Sequence, residues 1–201
     1  MSSALGKFGS CVVQSALDGT SCKVESFWKD QACIISLFRR LGCKFCRLEA
    51  ANLSSLKSAL DKRNIRLVGI SFDKDGVKDF IDGKFFSGDL YLDPDRKTYE
   101  ALSFKRVSMF TGFCSLFTKA GRDLNSEANA AHITGNLSGD GWQTGGLLVI
   151  GKDGNVLYEF AQEQVVNHPD YAKILQVLQI DPNEVPKMNT AVCGDDSCTK
   201  P

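Results

Sequence analysis

Hydrophobic positions fall along the chain in blocks whose spacing changes from one segment to the next. Cys11 to Trp28 reads as two short strands around the Asp18-Gly19 turn signal, followed by a short helical segment near Ser26 to Lys29. Ala32 to Phe38, "ACIISLF", is a continuous apolar run of strand length and has the character of a central strand. From Lys44 to Lys62 the pattern changes: Phe45, Leu48, Leu53, Leu56 and Leu60 recur at roughly helical spacing, and Asp61 to Asn64 close the segment. Ile65 to Phe72 returns to strand character, so these segments make a strand, turn, helix, strand unit of the kind that joins parallel strands.

The alternation continues with a short helix around Gly76 to Ile81, a strand at "DLYLD" and a helix at "DRKTYEAL". Residues 107–144 are less regular and read as an insertion followed by a loop around a site, with the apolar "MFTGFCSLF" and the Gly/Asn/Ser-rich "GNLSGDGWQTG". "GLLVIGKDGNVLYEF" is a hairpin with residues 152–155 at its turn, and "DYAKILQVLQI" is an amphipathic helix. Parallel crossovers followed by an antiparallel hairpin and a closing helix predict an α/β chain with a mixed central sheet flanked by helices, the order of a thioredoxin-like fold. Residues 1–181 form the expected domain, and the polar residues 182–201 an expected flexible tail.

Composition narrows the partners. The 201 residues are 43% hydrophobic and 24% charged, with 24 basic and 24 acidic side chains. That balance creates no net field for nucleic acid or an anionic membrane, so small or neutral partners fit better. No stretch reaches the ~20 apolar residues of a membrane helix, and the first residues lack a secretory apolar region, which predicts no transmembrane segment and a cytosolic location. Eight cysteines in that compartment read mostly as reduced thiols.

Cys43 and Cys46, in "RRLGCKFCRLEA", stand three positions apart where the strand hands over to the helix. Unpaired N–H groups and the helix dipole at that point favour an anion, so Cys43 is the expected thiolate and Cys46, one turn inside, the resolving partner. Arg39, Arg40, Lys44 and Arg47 lie within four residues of Cys43. Basic residues in a first turn oppose the macrodipole at ~0.3 to 1 kcal/mol each. That departure has a use if the charges stabilise a thiolate.

Other readings of the pair stay open. A zinc clamp needs further ligands, and the other close pair, Cys193 and Cys198, has four residues between its members and lies in the expected tail. His132 and His168 are far apart and read as surface or loop histidines. Two thiols packed as small hydrophobes are the bland alternative, and the first choice for Cys11, Cys22, Cys33 and Cys114. No nucleotide-binding glycine motif is present, since "GKFGS" and "GKDGN" lack the spacing.

"FRRLGCKFCRLEAANLSSLKSALD", "FFSGDLYLD", "YEALSFKR", "GNLSGD" and "GGLLVIGKDGNVLYEF", taken in order, resemble the peroxiredoxin-like branch of the thioredoxin superfamily, and within it the endoperoxide reductases. The resemblance runs from about Cys11 to Ile180. It implies reduction of the prostaglandin H and prostamide H endoperoxides to the F-series diols, with Cys43 and Cys46 as the catalytic pair. It also implies no tightly bound cofactor, NADPH acting only through thioredoxin and thioredoxin reductase. A general peroxiredoxin-like antioxidant or a redox-regulatory module is the alternative. Against the peroxiredoxin pattern Pro-x-x-x-Thr-x-x-Cys, this chain has Ser36 and Arg40 at the Pro and Thr positions, which puts ordinary hydroperoxide reduction in doubt. Thr144-Gly145 stands where thioredoxins carry a cis-proline, and Gly145 would let a substrate or backbone approach closely. Phe85, Phe86 and "SMFTGFCSLF" could form an apolar wall, with core packing at least as good a reading.

Overall fold

The computed structural model describes residues 2–106, 118–136 and 139–186. In chain order, α1 (Ser2–Ser10) leads into β1 (Val12–Ser15), β2 (Ser21–Lys23), a 3-10 turn (Val24–Phe27) and β3 (Cys33–Phe38). Next come α2 (Lys44–Ser55), α3 (Lys57–Lys62), β4 (Arg66–Ser71), α4 (Val77–Asp82), β5 (Asp89–Leu92) and α5 (Lys97–Ala101). After α6 (Lys119–Ala130), the hairpin β6 (Gly146–Ile150) and β7 (Val156–Ala161) and the helix α7 (Tyr171–Val177) complete the order.

The strands form one mixed sheet of seven in the order β2-β1-β5-β4-β3-β6-β7. β3, β4 and β5 are parallel, as the crossover pattern requires, while β6 runs antiparallel to β3 and pairs with β7. With a neighbour on each edge and helices on each face, every residue of β3 is buried, which is why its sequence is apolar but for Ser36.

Period two along β3 separates two cores. Cys33, Ile35 and Leu37 join Phe8, Phe27, Val68 and Tyr99 on one face, and Ile34 joins Leu53, Leu56, Leu147 and Ile174 on the other. Full burial of each large aliphatic side chain contributes roughly 1.5–3 kcal/mol. Ser36 is the polar exception on this strand, and its hydroxyl donates to the Glu49 carboxylate of α2 at 2.8 Å. A third cluster, including Phe38, Leu41, Phe45, Phe80, Leu124 and Ile133, gathers around Cys43 and Cys46 at the end of the strand.

Three elements depart from the sequence reading. The expected helix from Lys44 to Lys62 is two helices, α2 and α3, separated at Leu56, whose N–H turns to the Leu53 carbonyl. Helix α1 was not expected: with two glycines and few apolar residues it has a weak pattern, and it is fixed by burying Phe8, stacked on Trp28. Helix α6 lies inside the stretch expected to be irregular. Thr118 caps it by accepting from the Gly121 N–H, and Leu124 and Ala128 form its buried side, a stripe too narrow to stand out among Asn, Ser and Ala. "SMFTGFCSLF" and Cys114 fall outside the described residues. Residues 182–184 form a 3-10 turn whose Glu184 pairs with Arg63 at 2.6 Å, and the remainder of the expected tail beyond Pro186 is not among the described residues.

Candidate active site

β3 ends at Phe38, the chain turns through Arg39 to Gly42, and Cys43 becomes the N-cap of α2 with extended dihedrals (φ −71°, ψ 127°). Cys46 follows one turn inside, so the strand-to-helix placement expected for the pair is the one observed. Both thiols are nearly covered, Cys43 at 6% exposure and Cys46 at 5%.

Their titration is split. The Cys43 thiol is held well below its ordinary range, first by the hydrogen bond from Cys46, then, against the opposing effect of burial, by the Arg39 charge, the Cys46 backbone N–H and the Arg40 charge. Cys46 is pushed well above its range by that same hydrogen bond, by burial and by the Cys43 charge. A buried pair sharing one proton thus holds its negative charge on the sulfur nearer the helix start.

The four flanking bases divide by role. Arg39 is buried, and its Nη2 donates to Cys43 Sγ at 3.2 Å while Nη1 donates to the Gly141 carbonyl at 3.2 Å. Lys44 turns away to the Asn125 and Asn129 amide oxygens of α6. Arg47 is buried, donates to the Leu41 and Thr134 carbonyls at 2.9 and 3.0 Å, and lies over the Phe85 ring. Thiolate stabilisation, expected of all four, is therefore the work of Arg39 with support from Arg40, whereas Lys44 and Arg47 tie the site to its neighbours.

A second strap closes the same corner. The Asn136 N–H donates to the Gly42 carbonyl at 2.8 Å, and a Cβ on Gly135 would lie 2.5 Å from the Lys44 nitrogen, so that position admits only glycine. Gly145 answers to the same argument: its Cβ would stand 2.0 Å from the Leu37 carbonyl oxygen. The close approach expected at Gly145 is thus made by backbone. Thr144 is anchored to the Lys105 carbonyl through both its N–H and its hydroxyl. Phe85 and Phe86 pack on Phe80 and Phe38, the core role weighed for them.

Sequence reasoning missed the polar group beneath the thiols. Glu49, 9% exposed, accepts from Ser36 and lies 3.8 Å from His168 Nδ1. Burial first, opposed by the Ser36 hydrogen bond and the Arg39 charge, raises the Glu49 carboxyl to about 7. Burial and Arg39 lower His168 to about 4, so at neutral pH the imidazole is uncharged and its contact with Glu49 is not an ion pair. His168, expected on the surface or in a loop, lies in the loop before α7, is 14% exposed at its side chain and lines a cavity of about 10 Å³ with Arg39, Phe45, Cys46, Glu49 and Gln162. The available signals were Glu49 standing one turn beyond Cys46 and Ser36 breaking an apolar run. Among the described residues, no three His, Cys, Asp or Glu side chains group as a metal ion would require.

The fold defines a class. Solved structures of similar architecture include Xanthomonas campestris peroxiredoxin Q, 15% identical with a TM-score of 0.57 over 87% of this chain and 94% of that one. Peroxidoxin BcpB from Mycobacterium tuberculosis is 16% identical with a TM-score of 0.55, covering 84% and 89%. At such identities the likeness is one of fold, and it makes this a thioredoxin-like chain of peroxiredoxin architecture. A family model described as AhpC/TSA antioxidant enzyme matches residues 52–164, beginning just after the cysteine pair. Curated prostamide/prostaglandin F synthases are much nearer in sequence: that of Sus scrofa is 40% identical over 197 residues, 98% of each chain. That of Xenopus laevis is 39% identical over the same span, and that of Homo sapiens 40% over 177 residues, 88% of this chain and 89% of its own. The chain belongs to the prostamide/prostaglandin F synthase family, within the AhpC/TSA group.

Proposed function

We propose that this chain is a thiol-dependent oxidoreductase that reduces the endoperoxides of prostaglandin H and prostamide H to prostaglandin F and prostamide F, with Cys43 and Cys46 as its catalytic pair. The observation that carries the chemistry is the Arg39 guanidinium 3.2 Å from Cys43 Sγ, on a thiol already favoured as the anion, with a second thiol one turn away. The substrate class rests on the family.

The Cys43 thiolate attacks one endoperoxide oxygen. An S–O bond forms as the weak O–O bond breaks, and the other oxygen leaves as an alkoxide. Cys46 then attacks the Cys43 sulfur, the S–O bond breaks, and the second oxygen leaves as the disulfide forms. Two thiols are oxidised, one peroxide bond is reduced, and the two product hydroxyls take two protons. An external dithiol of the thioredoxin type restores the pair, with NADPH as the ultimate donor through thioredoxin reductase. Such a cycle suits the cytosol, where these reductants keep thiols reduced. Among the described residues no helix is long and apolar enough to cross a membrane.

The test is product formation from prostaglandin H in the presence of thioredoxin, its reductase and NADPH. The wild type should make the F-series diol, Cys43→Ser should not, and Cys46→Ser should stop after the first adduct. Wild-type formation no faster than that of Cys43→Ser would sink the reading. Turnover of simple hydroperoxides in its place would favour a general antioxidant, against which stand Ser36 and Arg40 at the Pro and Thr positions of the peroxiredoxin pattern.

A further inference from the structure

The two-thiol cycle leaves a proton unaccounted for. Cys46 is the protonated member of the pair, held so by its hydrogen bond to Cys43 and by burial, and it must become a nucleophile in the second step. Bulk water reaches it poorly at 5% exposure. Among the groups that share its cavity is the Glu49 carboxyl, one helical turn further along α2, fixed from β3 by the Ser36 hydroxyl at 2.8 Å.

The cavity, at about 10 Å³ of space for a water's centre, is just large enough to admit one water molecule. Arg39 Nε and His168 Nε2 are buried without hydrogen-bond partners among the described residues, and both residues line it. Cys46, Glu49, Arg39 and His168 therefore lie around one small gap, shared with Leu37, Phe38, Phe45 and Phe160, where a single water can carry a proton between groups not in direct contact.

We propose that Glu49 takes the Cys46 thiol proton across this cavity as Cys46 attacks the Cys43 adduct, and gives it to the departing alkoxide. The Cys46 S–H bond breaks and a Glu49 O–H bond forms. The Cys46 sulfur joins the Cys43 sulfur, the S–O bond breaks, and the alkoxide becomes a hydroxyl as Glu49 returns to the carboxylate. The proposal rests on the two-thiol reading above.

Timing follows from the charges. The groups that face Glu49 are Ser36 and Arg39 on or just after β3, Cys43 and Cys46 at the start of α2, His168 before α7, Tyr171 on α7 and Tyr158 on β7. Both tyrosines have raised titrations and His168 is neutral, so Arg39 and the Cys43 thiolate are the charges that matter near neutral pH. The thiolate raises the Glu49 carboxyl, and this influence vanishes once Cys43 is esterified. Glu49 thus becomes more ionised at the step that requires a base.

The experiment isolates that step without any prostaglandin. Reduced protein is mixed with 5,5'-dithiobis(2-nitrobenzoate) and acid-quenched, and the peptide carrying both cysteines is followed by mass spectrometry from the Cys43 mixed disulfide to the Cys43–Cys46 disulfide. The wild-type rate of this conversion should rise with pH and level off with an inflection at or below about 7. Glu49→Gln should slow it roughly 100-fold near neutral pH and abolish the plateau, without slowing formation of the mixed disulfide. Glu49→Asp should recover part of the loss. Ser36→Ala, which removes the bond favouring the carboxylate, should move the inflection to higher pH. A Glu49→Gln profile identical to the wild type overturns the proposal, as does equal slowing of both steps, the result of a merely structural role. Should Glu49→Gln fail to fold, an unmoved inflection in Ser36→Ala overturns it. Failure to make F-series product would remove the endoperoxide reading and leave this result standing.

Discussion

Cys33 and Cys43 lie at the two ends of one structural run, the first opening β3 and the second just past its end, and both are buried. Yet burial acts on them to opposite final effect. Cys33, at 0% exposure among Phe8, Phe27 and Ile150, is raised to about 12 by desolvation, which the Arg66 charge opposes without overcoming. Cys43 meets the same desolvation, but a neighbouring thiol donor, a guanidinium at 3.2 Å and a helix N-terminus outweigh it. A covered cysteine is inert or reactive according to what its sulfur faces, and the sheet places apolar side chains at one end and hydrogen-bond donors at the other.

The largest expected effect is in alkylation. At pH 7 a thiol raised to about 12 is ionised to about one part in 10⁵. Iodoacetamide should therefore label Cys43 at least about 1000-fold faster than Cys33 in the native protein, measured by peptide mapping; comparable rates would erase the contrast. Next, Arg39→Gln should raise the Cys43 titration and slow its labelling at pH 7 by about 10-fold or more, since a tenfold loss of thiolate corresponds to only about 1.4 kcal/mol of lost interaction with the anion. Arg47→Gln, which lacks a direct hold on the sulfur, should chiefly lower stability.

Glu49 gives a smaller, pH-dependent effect. Its carboxyl titrates near 7 when folded against an ordinary 4.5, so the unfolded chain releases this proton first and native stability falls as pH rises through that interval. Urea midpoints at pH 5 and pH 8 should show Glu49→Gln gaining on the wild type at the higher pH, and a constant difference would refute the raised titration. The smallest expected effect is Cys33→Ala, about 1 kcal/mol of stability from the lost sulfur contacts, with Cys43 labelling unchanged.

Much of this contrast was legible in the sequence, and the limits have physical causes. An apolar run seven residues long, a helical repeat and a second strand announced the crossover, because β3 has to be apolar on both faces. Cys43 and Cys46 could be placed at the helix start from spacing, since three residues are about one turn. The helices α1 and α6 were not legible, as each is fixed by few buried side chains rather than by a periodic stripe. Equally hidden were the partners of Lys44 and Arg47, which depend on where α6 and the loop through Thr134 come to rest.

By itself, the sequence determined the alternation of elements, the parallel crossover that opens the sheet and the position of two thiols at a helix N-terminus, because these follow from local periodicity and short-range spacing. Only the tertiary structure decided which of four bases meets the sulfur, that Gly145 makes room for the Leu37 carbonyl, and that Ser36, Glu49 and His168 come together beneath Cys46. These residues arrive from β3, α2 and the chain before α7, and what they share is a small, poorly solvated volume in which hydrogen bonds and charges act strongly. Such a volume exists only once the helices have closed over the sheet.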